Sequence, residues 1–221
     1  MAAASFSWPH VGQALTRRRV SGRRPLFAKT GRLGGRERGS PEVSGNSRKG
    51  VQMAVLDKTI ESPKELFVHK LGAALTMEET ILRLLEKLQQ EAHDPSLRRS
   101  LKQHHRETQG HVENLNQVFT ALGKKPEEQP SPAIEGLKKE GDQLLGKVDE
   151  SLVDAVILDG VIEIEHREIA VYDGLIIKAE RLGGDDIIAL LNENIEQEEA
   201  TLKKAIAAAE QFAKKKVRQT V

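Results

Sequence analysis

Five glutamates, Glu78, Glu107, Glu165, Glu168 and Glu198, stand where the surrounding pattern would otherwise place leucine or alanine. With a helix advancing about 100° per residue, Leu71, Ala74, Leu75, Ile81, Leu82 and Leu85 share a face with Glu78, and Glu79 falls at its edge. Leu97, Leu101, Leu115 and Val118 form a second stripe that also carries His104, Glu107, Thr108 and His111. A third, of Leu158, Val161, Ile162, Ile169, Tyr172 and Ile176, surrounds Glu165 and Glu168, while Glu163 and His166 point elsewhere. The fourth aligns Ile187, Leu191, Ile195, Leu202, Ala205 and Ala209 with Glu198, leaving Glu199 to the side.

One inward glutamate is commonly a snorkelling side chain. Five on apolar stripes that carry no lysine or arginine need another explanation, because a buried carboxylate costs several kcal/mol unless it is protonated or compensated. Cations compensate it directly. Oxygen-rich sites with imidazole suit iron and manganese, and two ions about 3.5–4 Å apart, bridged by shared carboxylates, would use all five acids. His111, four residues after Glu107 and so stacked beside it, is the preferred nitrogen ligand, with His104 as an alternate or supporting residue. Tyr172, the only tyrosine, either packs with its hydroxyl satisfied or supplies a hydrogen bond or an electron to the centre.

Other chemistries lack their residues. The chain has no cysteine, which removes disulfides, thiolate zinc sites, iron–sulfur ligation and cysteine nucleophiles together. It has no glycine-rich phosphate loop and no nucleophile elbow. No apolar run approaches the roughly 18 residues that cross a bilayer, so no membrane partner is expected.

The elements that must position these side chains are helices, since aromatic residues are only 3% and charged residues 30% of the chain. Ser62-Pro63-Lys64-Glu65 is a capping box with proline at the first helical position, opening a helix from Pro63 to about Ala92. Asp94-Pro95 opens a second, which ends near Leu122 before Gly123 and Pro126. A polar stretch from Lys124 to Pro132 leads into a weaker helical segment, Ala133 to Val148. The third long helix starts at Ser151 to Asp154 and ends at Gly183-Gly184, and Asp185 caps a fourth from Asp186 to about Lys214. The expected fold is all-α, a ferritin-like antiparallel four-helix bundle of two hairpins joined by a long crossover containing a short helix, spanning residues 57–217.

Residues 1–49 hold eleven basic residues against two acids, whereas the remainder holds 23 against 31. Rich in Arg, Ser and Gly and lacking apolar periodicity, residues 1–53 are expected to be an organellar transit peptide cleaved near Val51 to Ala54. A chloroplast is the expected destination and the mitochondrion the alternative. Nucleic acid is the less favoured partner for this basic segment, because only Phe6, Trp8 and Phe27 interleave it with aromatic rings. A homodimer is expected from a second apolar strip on the third long helix, Val153, Ile157, Ile164, Val171 and Leu175, which could otherwise widen the core contact.

ELFVHKL at 65–71, HHRETQGHVENL at 104–115, EHREIAVYDGL at 165–175 and LLNENIEQEE at 190–199 make the chain resemble the bacterial YciE/YciF stress-protein family of the ferritin-like superfamily, over Glu65 to Lys215. The resemblance implies a ferritin-like bundle, often dimeric, with a dinuclear metal site whose ligand candidates by position are Glu78, Glu107, His111, Glu165, Glu168 and Glu198. The sequence departs from the superfamily pattern of Glu with His three residues later, since Gly110 follows Glu107 and Thr201 follows Glu198 at that spacing. Two functions are consistent with these readings. One is a di-iron or di-manganese protein that oxidises Fe(II) or handles oxygen or peroxide. The other is a non-enzymatic dimeric stress or scaffold protein with a structural or vestigial metal site.

Overall fold

The computed structural model describes residues 59–182 and 184–220, the last six by backbone alone. The expected transit peptide with its expected cleavage site, and Gly183, lie outside the described residues. Helix α1 spans Pro63–Glu91, α2 Pro95–Ala121, α3 Pro132–Leu145, α4 Val153–Leu182 and α5 Asp185–Thr220. The Ser62 side chain accepts from Glu65 N–H at 3.1 Å, as the capping box requires. The Glu65 carboxylate reaches one residue further back than that motif places it, to Glu61 N–H at 2.9 Å. Asp94 caps α2 by accepting from Ser96 and Leu97 N–H, and Gly123, at φ 67°, reverses the chain beyond α2. The last helix departs from expectation at both ends, with Asp185 already helical and the helix running past Lys214 to Thr220.

Helices α1 and α2 form one hairpin and α4 and α5 the other, and α2 against α5 with α1 against α4 closes the bundle. Two further features hold this arrangement. Asp154, buried at the start of α4, accepts from His93 N–H at 2.7 Å and Asp94 N–H at 2.9 Å, so α4 is tied to the turn between α1 and α2. The crossover passes over α1 at Gly72, where a Cβ would stand 2.3 Å from the Glu127 carbonyl oxygen and 2.7 Å from Gln129 Cγ. Glycine is the residue that permits this approach.

The short crossover helix α3 packs on α4 and touches α1, with its own Ile134 fully buried. It thereby covers part of the outer strip of α4. Ile157, Ile164 and Leu175 are 1%, 6% and 1% exposed within the single chain, and Val153 and Val171 are half-buried. That strip is core, so a homodimer needs a different surface.

The apolar interior is divided. Phe67, Leu71, Leu115, Phe119, Tyr172 and Leu191 belong to one buried cluster, and Ile81, Leu85, Leu97, Leu101, Leu158 and Ala205 to another. Along each of the four long helices the residues between the two clusters are those carrying the inward acids and histidines. A polar layer therefore crosses the bundle between two hydrophobic plugs.

Candidate metal centre

In that layer Glu78, Glu165, Glu168 and Glu198 are completely buried, and His104 and His111 are 3% and 1% exposed. One group, His104, Glu165, Glu168 and Glu198, and another, Glu78, His111 and Glu198, each offer ligand-type atoms lying within 4.8 Å of one another. Glu198 belongs to both. His104 Nε2 lies 3.0 Å from Glu165 Oε1, and His111 Nδ1 lies 2.8 Å from Glu198 Oε1 and 3.7 Å from Glu78 Oε2.

Close approach has not produced hydrogen bonds. Both carboxylate oxygens of Glu165, Glu168 and Glu198, Oε2 of Glu78, both ring nitrogens of His104 and Nδ1 of His111 have no partner at hydrogen-bonding angles. Buried polar atoms are normally satisfied, and so many orphans at one level of a bundle form a group that could hold a metal ion. The charge count agrees. Four buried carboxylates match two divalent cations, and no lysine or arginine among the described residues forms an ion pair with them. Oxygen donors with two imidazoles and no thiolate suit iron or manganese better than zinc or copper(I), which favour sulfur and nitrogen.

The electrostatics of the cation-free protein follow from the same crowding. Burial pushes the Glu165 carboxyl up to about 8, with the hydrogen-bonding influence of Glu198 opposing and the Glu78 charge adding. Burial likewise raises Glu168, reinforced by Glu198, Glu78 and Glu165, and raises Glu198 against the opposing pull of His111. For His111 burial acts to lower the imidazolium, but Glu198 and Glu78 outweigh it and hold the ring at about 10. Burial lowers His104. Desolvation drives Glu165, Glu168 and Glu198 toward the neutral state, and His111 carries the compensating charge.

A second set of contacts fixes the ligand-bearing side chains. Tyr172 donates to Glu78 Oε1 and accepts from Asn194 Nδ2 at 2.9 Å. Asn194 also donates to the His111 carbonyl at 3.3 Å and accepts from Asn114 at 2.8 Å. His111 Nε2 stands 3.1 Å from Gln197 Oε1, so Nε2 keeps its proton there and Nδ1 is the nitrogen that faces the carboxylates with a lone pair whenever the ring is neutral. The Thr108 hydroxyl donates back to the His104 carbonyl at 2.9 Å.

Of the six ligand candidates, the structure brings together Glu78, His111, Glu165, Glu168 and Glu198. Glu107 stays outside both groups, 20% exposed at its side chain, 4.0 Å from His104 Nδ1 and accepting from Gln103 at 3.0 Å. His104 enters the inner group in its place. Asn194 and Gln197 were not singled out by the sequence reading, although Asn194 lies four residues before Glu198 on the same stripe.

The model of the family described as "Domain of unknown function (DUF892)" matches residues 62–218. YciF of Escherichia coli strain K12 is 32% identical over 146 residues, 65% of this chain and 86% of that protein. The crystal structure of the E. coli stress protein YciF superposes with a TM-score of 0.67 at 28% identity, covering 71% of this chain and 99% of that one. YcfI of Rhodopseudomonas palustris, described as a supposed structural protein, superposes at 0.66 with 38% identity, over 67% of this chain and 96% of that one.

Proposed function

The chain belongs to the DUF892 family that also takes in the YciE/YciF-like proteins, and from that premise we propose that it is a stress-associated ferritin-like protein holding a pair of iron or manganese ions. One observation carries the reading. Two groups of unpartnered buried donors share Glu198, so a single carboxylate reaches both halves of the layer. Glu78 and His111 would hold the first cation, His104, Glu165 and Glu168 the second, and Glu198 both.

Iron bound there supplies one-electron chemistry toward oxygen or peroxide. Tyr172 and Asn194 orient Glu78, Gln197 sets the tautomer of His111, and the two apolar plugs keep bulk water from the carboxylates. Glu107 lies at the edge of the layer beside His104, placed to carry a proton between the site and solvent. The sequence expectation of an organelle is retained as part of the proposal. N-terminal sequencing of the protein from isolated chloroplasts tests it, and recovery of a chain beginning at Met1 would reject it.

Elemental analysis of protein produced with iron and manganese both supplied is the primary test, with about two divalent ions per chain expected. A metal-free product that also takes up neither ion on dialysis sinks the proposal. Stopped-flow mixing with Fe(II) then separates the two functions. Absorbance growth above a buffer control supports oxidation, and its absence with two ions bound favours a structural centre, the reading closer to the role supposed for YcfI.

A further inference from the structure

Between α2, α4 and α5 lies a cavity of about 390 Å³. Short side chains on its lining, Ser100 of α2 with Thr201, Ala205 and Ala208 of α5, leave it room. Of the six residues in the two ligand groups, His104 alone lines it. The His104 ring is buried and neither nitrogen is hydrogen-bonded. Its Nε2 lies 3.0 Å from Glu165 Oε1, and its Nδ1 lies 4.0 Å from Oε2 of Glu107, a residue of the cavity wall. The ring therefore stands between the cavity and the carboxylate layer.

A hydrated divalent cation fits this space. Six waters, at about 30 Å³ each in the liquid, fill about half of it. Asp94, Glu107 and Asp154 line it against Arg99 and Lys204, so the charge of the wall does not turn a cation away, and Ser100, Gln103 and Thr201 offer oxygen atoms to its waters.

The two halves of the layer are held differently. Glu78 accepts from Tyr172, and His111 meets Gln197 at 3.1 Å, so these two ligands are oriented before any ion arrives. No hydrogen bond fixes the carboxylates of Glu165 and Glu168 or the ring of His104. The half without orienting bonds is the half that borders the cavity.

We propose that the cavity is the exchange route of the cation pair and His104 its gate, so that the position of His104, Glu165 and Glu168 exchanges with solvent while that of Glu78 and His111 retains its ion. This rests on the metal-centre reading and adds an order of exchange to it. Glu107, across the ring from Glu165, is placed to hold the ion in passage. With Glu198 counted in both, three carboxylates border the exchanging position and two the retained one. Charge alone would release the other ion first, so the proposed order is the signature of access.

The test loads the full chain with Mn(II) and mixes it in a stopped-flow instrument with excess chromogenic chelator, which reads each ion as it leaves. Two phases of one ion each are expected, separated about tenfold or more in rate. Ala208→Phe, which fills the cavity, should leave both ions bound and slow the fast phase about tenfold or more, because escape then waits on local opening of the helices. Ser100→Phe, at an exposed position of the lining, replaces it should Ala208→Phe not fold. His104→Gln should lose the fast ion or release it faster, with the slow phase as in wild type.

Two bound ions that leave in a single phase, a fast phase untouched by the cavity variants, or a slow phase that alone responds to His104→Gln overturns the inference and leaves the metal-centre reading standing. Wild-type protein that takes up fewer than two ions fails that reading, and the exchange route falls with it.

Discussion

Replacing Glu165 by leucine should stabilise the metal-free protein and weaken its response to metal, two effects of opposite sign from one side chain. The carboxyl is completely buried and pushed from 4.5 up to about 8, mainly by desolvation. At pH 7 the unfolded chain has released a proton that the native state retains, across an interval of about 2.5 pH units worth about 1.4 kcal/mol each, or about 3 kcal/mol in all. Leucine removes that term and keeps most of the volume. Against it stands the 3.0 Å approach of His104 Nε2, which lacks hydrogen-bonding angles and offsets at most about 1 kcal/mol. The balance is about 2 kcal/mol in favour of the variant, or about 4–8 °C in melting temperature for a domain of this size.

Metal cancels that advantage. A cation at a thousand times its Kd stabilises the native state by about 4 kcal/mol, and losing one anionic ligand, at about tenfold to a hundredfold in Kd, forfeits about 1.4–2.7 kcal/mol of it. Thermal melts of wild type and Glu165→Leu, each with and without Fe(II) or Mn(II), read both signs, and Glu165→Gln repeats the test with a polar side chain. If the metal-free variant melts no higher than metal-free wild type, and metal raises both equally or neither, the carboxylate layer is not a charged metal-binding core.

Three further outcomes follow from other residues. In the metal-free protein Glu165, raised to about 8, and Glu168 and Glu198, also raised, make the native state hold protons that the unfolded chain has released above 4.5, and the His111 contribution, complete below 6.5, is lost as pH rises through about 10. Stability should therefore rise as pH falls from about 8 toward the unfolded carboxyl value near 4.5, less steeply below 6.5, where the His111 contribution is complete and lowered His104 opposes; urea melts showing the reverse slope would contradict the assignment. Gly72→Ala should cost about 2 kcal/mol or more by driving a Cβ into the Glu127 carbonyl, and a urea midpoint unchanged from wild type would show that the crossover is free to move aside. Asp154→Ala leaves His93 and Asp94 N–H unpaired in a half-buried turn, for an expected loss of about 2 kcal/mol and faster amide exchange at both positions.

Which acids face inward was legible without a structure wherever a single helix decides the matter. Glu78, Glu165, Glu168 and Glu198 lie at the centres of apolar stripes, and burying a stripe of leucines buries whatever shares its phase. The two hairpins were legible for a similar reason, because Ser62, Asp94, Pro63 and Pro95 are local signals that act within one turn. The exceptions are informative. Asp185 read as a cap but lies inside the helix, since the Gly184 carbonyl already accepts from Ile188 N–H, and the stop inferred near Lys214 was only the end of the apolar pattern.

Tertiary structure alone decided among side chains that one helix presents together. Glu107 and His104 are three residues apart on the same stripe of α2, and their phases cannot say which will meet Glu165 across the bundle. The lie of α2 against α4 and α5 brings His104 to the carboxylates and leaves Glu107 at the cavity wall. The same holds for His111, which faces Glu78 and Glu198, for Asn194, whose bonds join α2, α4 and α5, and for the outer strip of α4, where periodicity shows an apolar face but not that α3 covers it. Periodicity is a property of one helix about its own axis. Which faces meet is set by how five helices pack, and that depends on every interface at once.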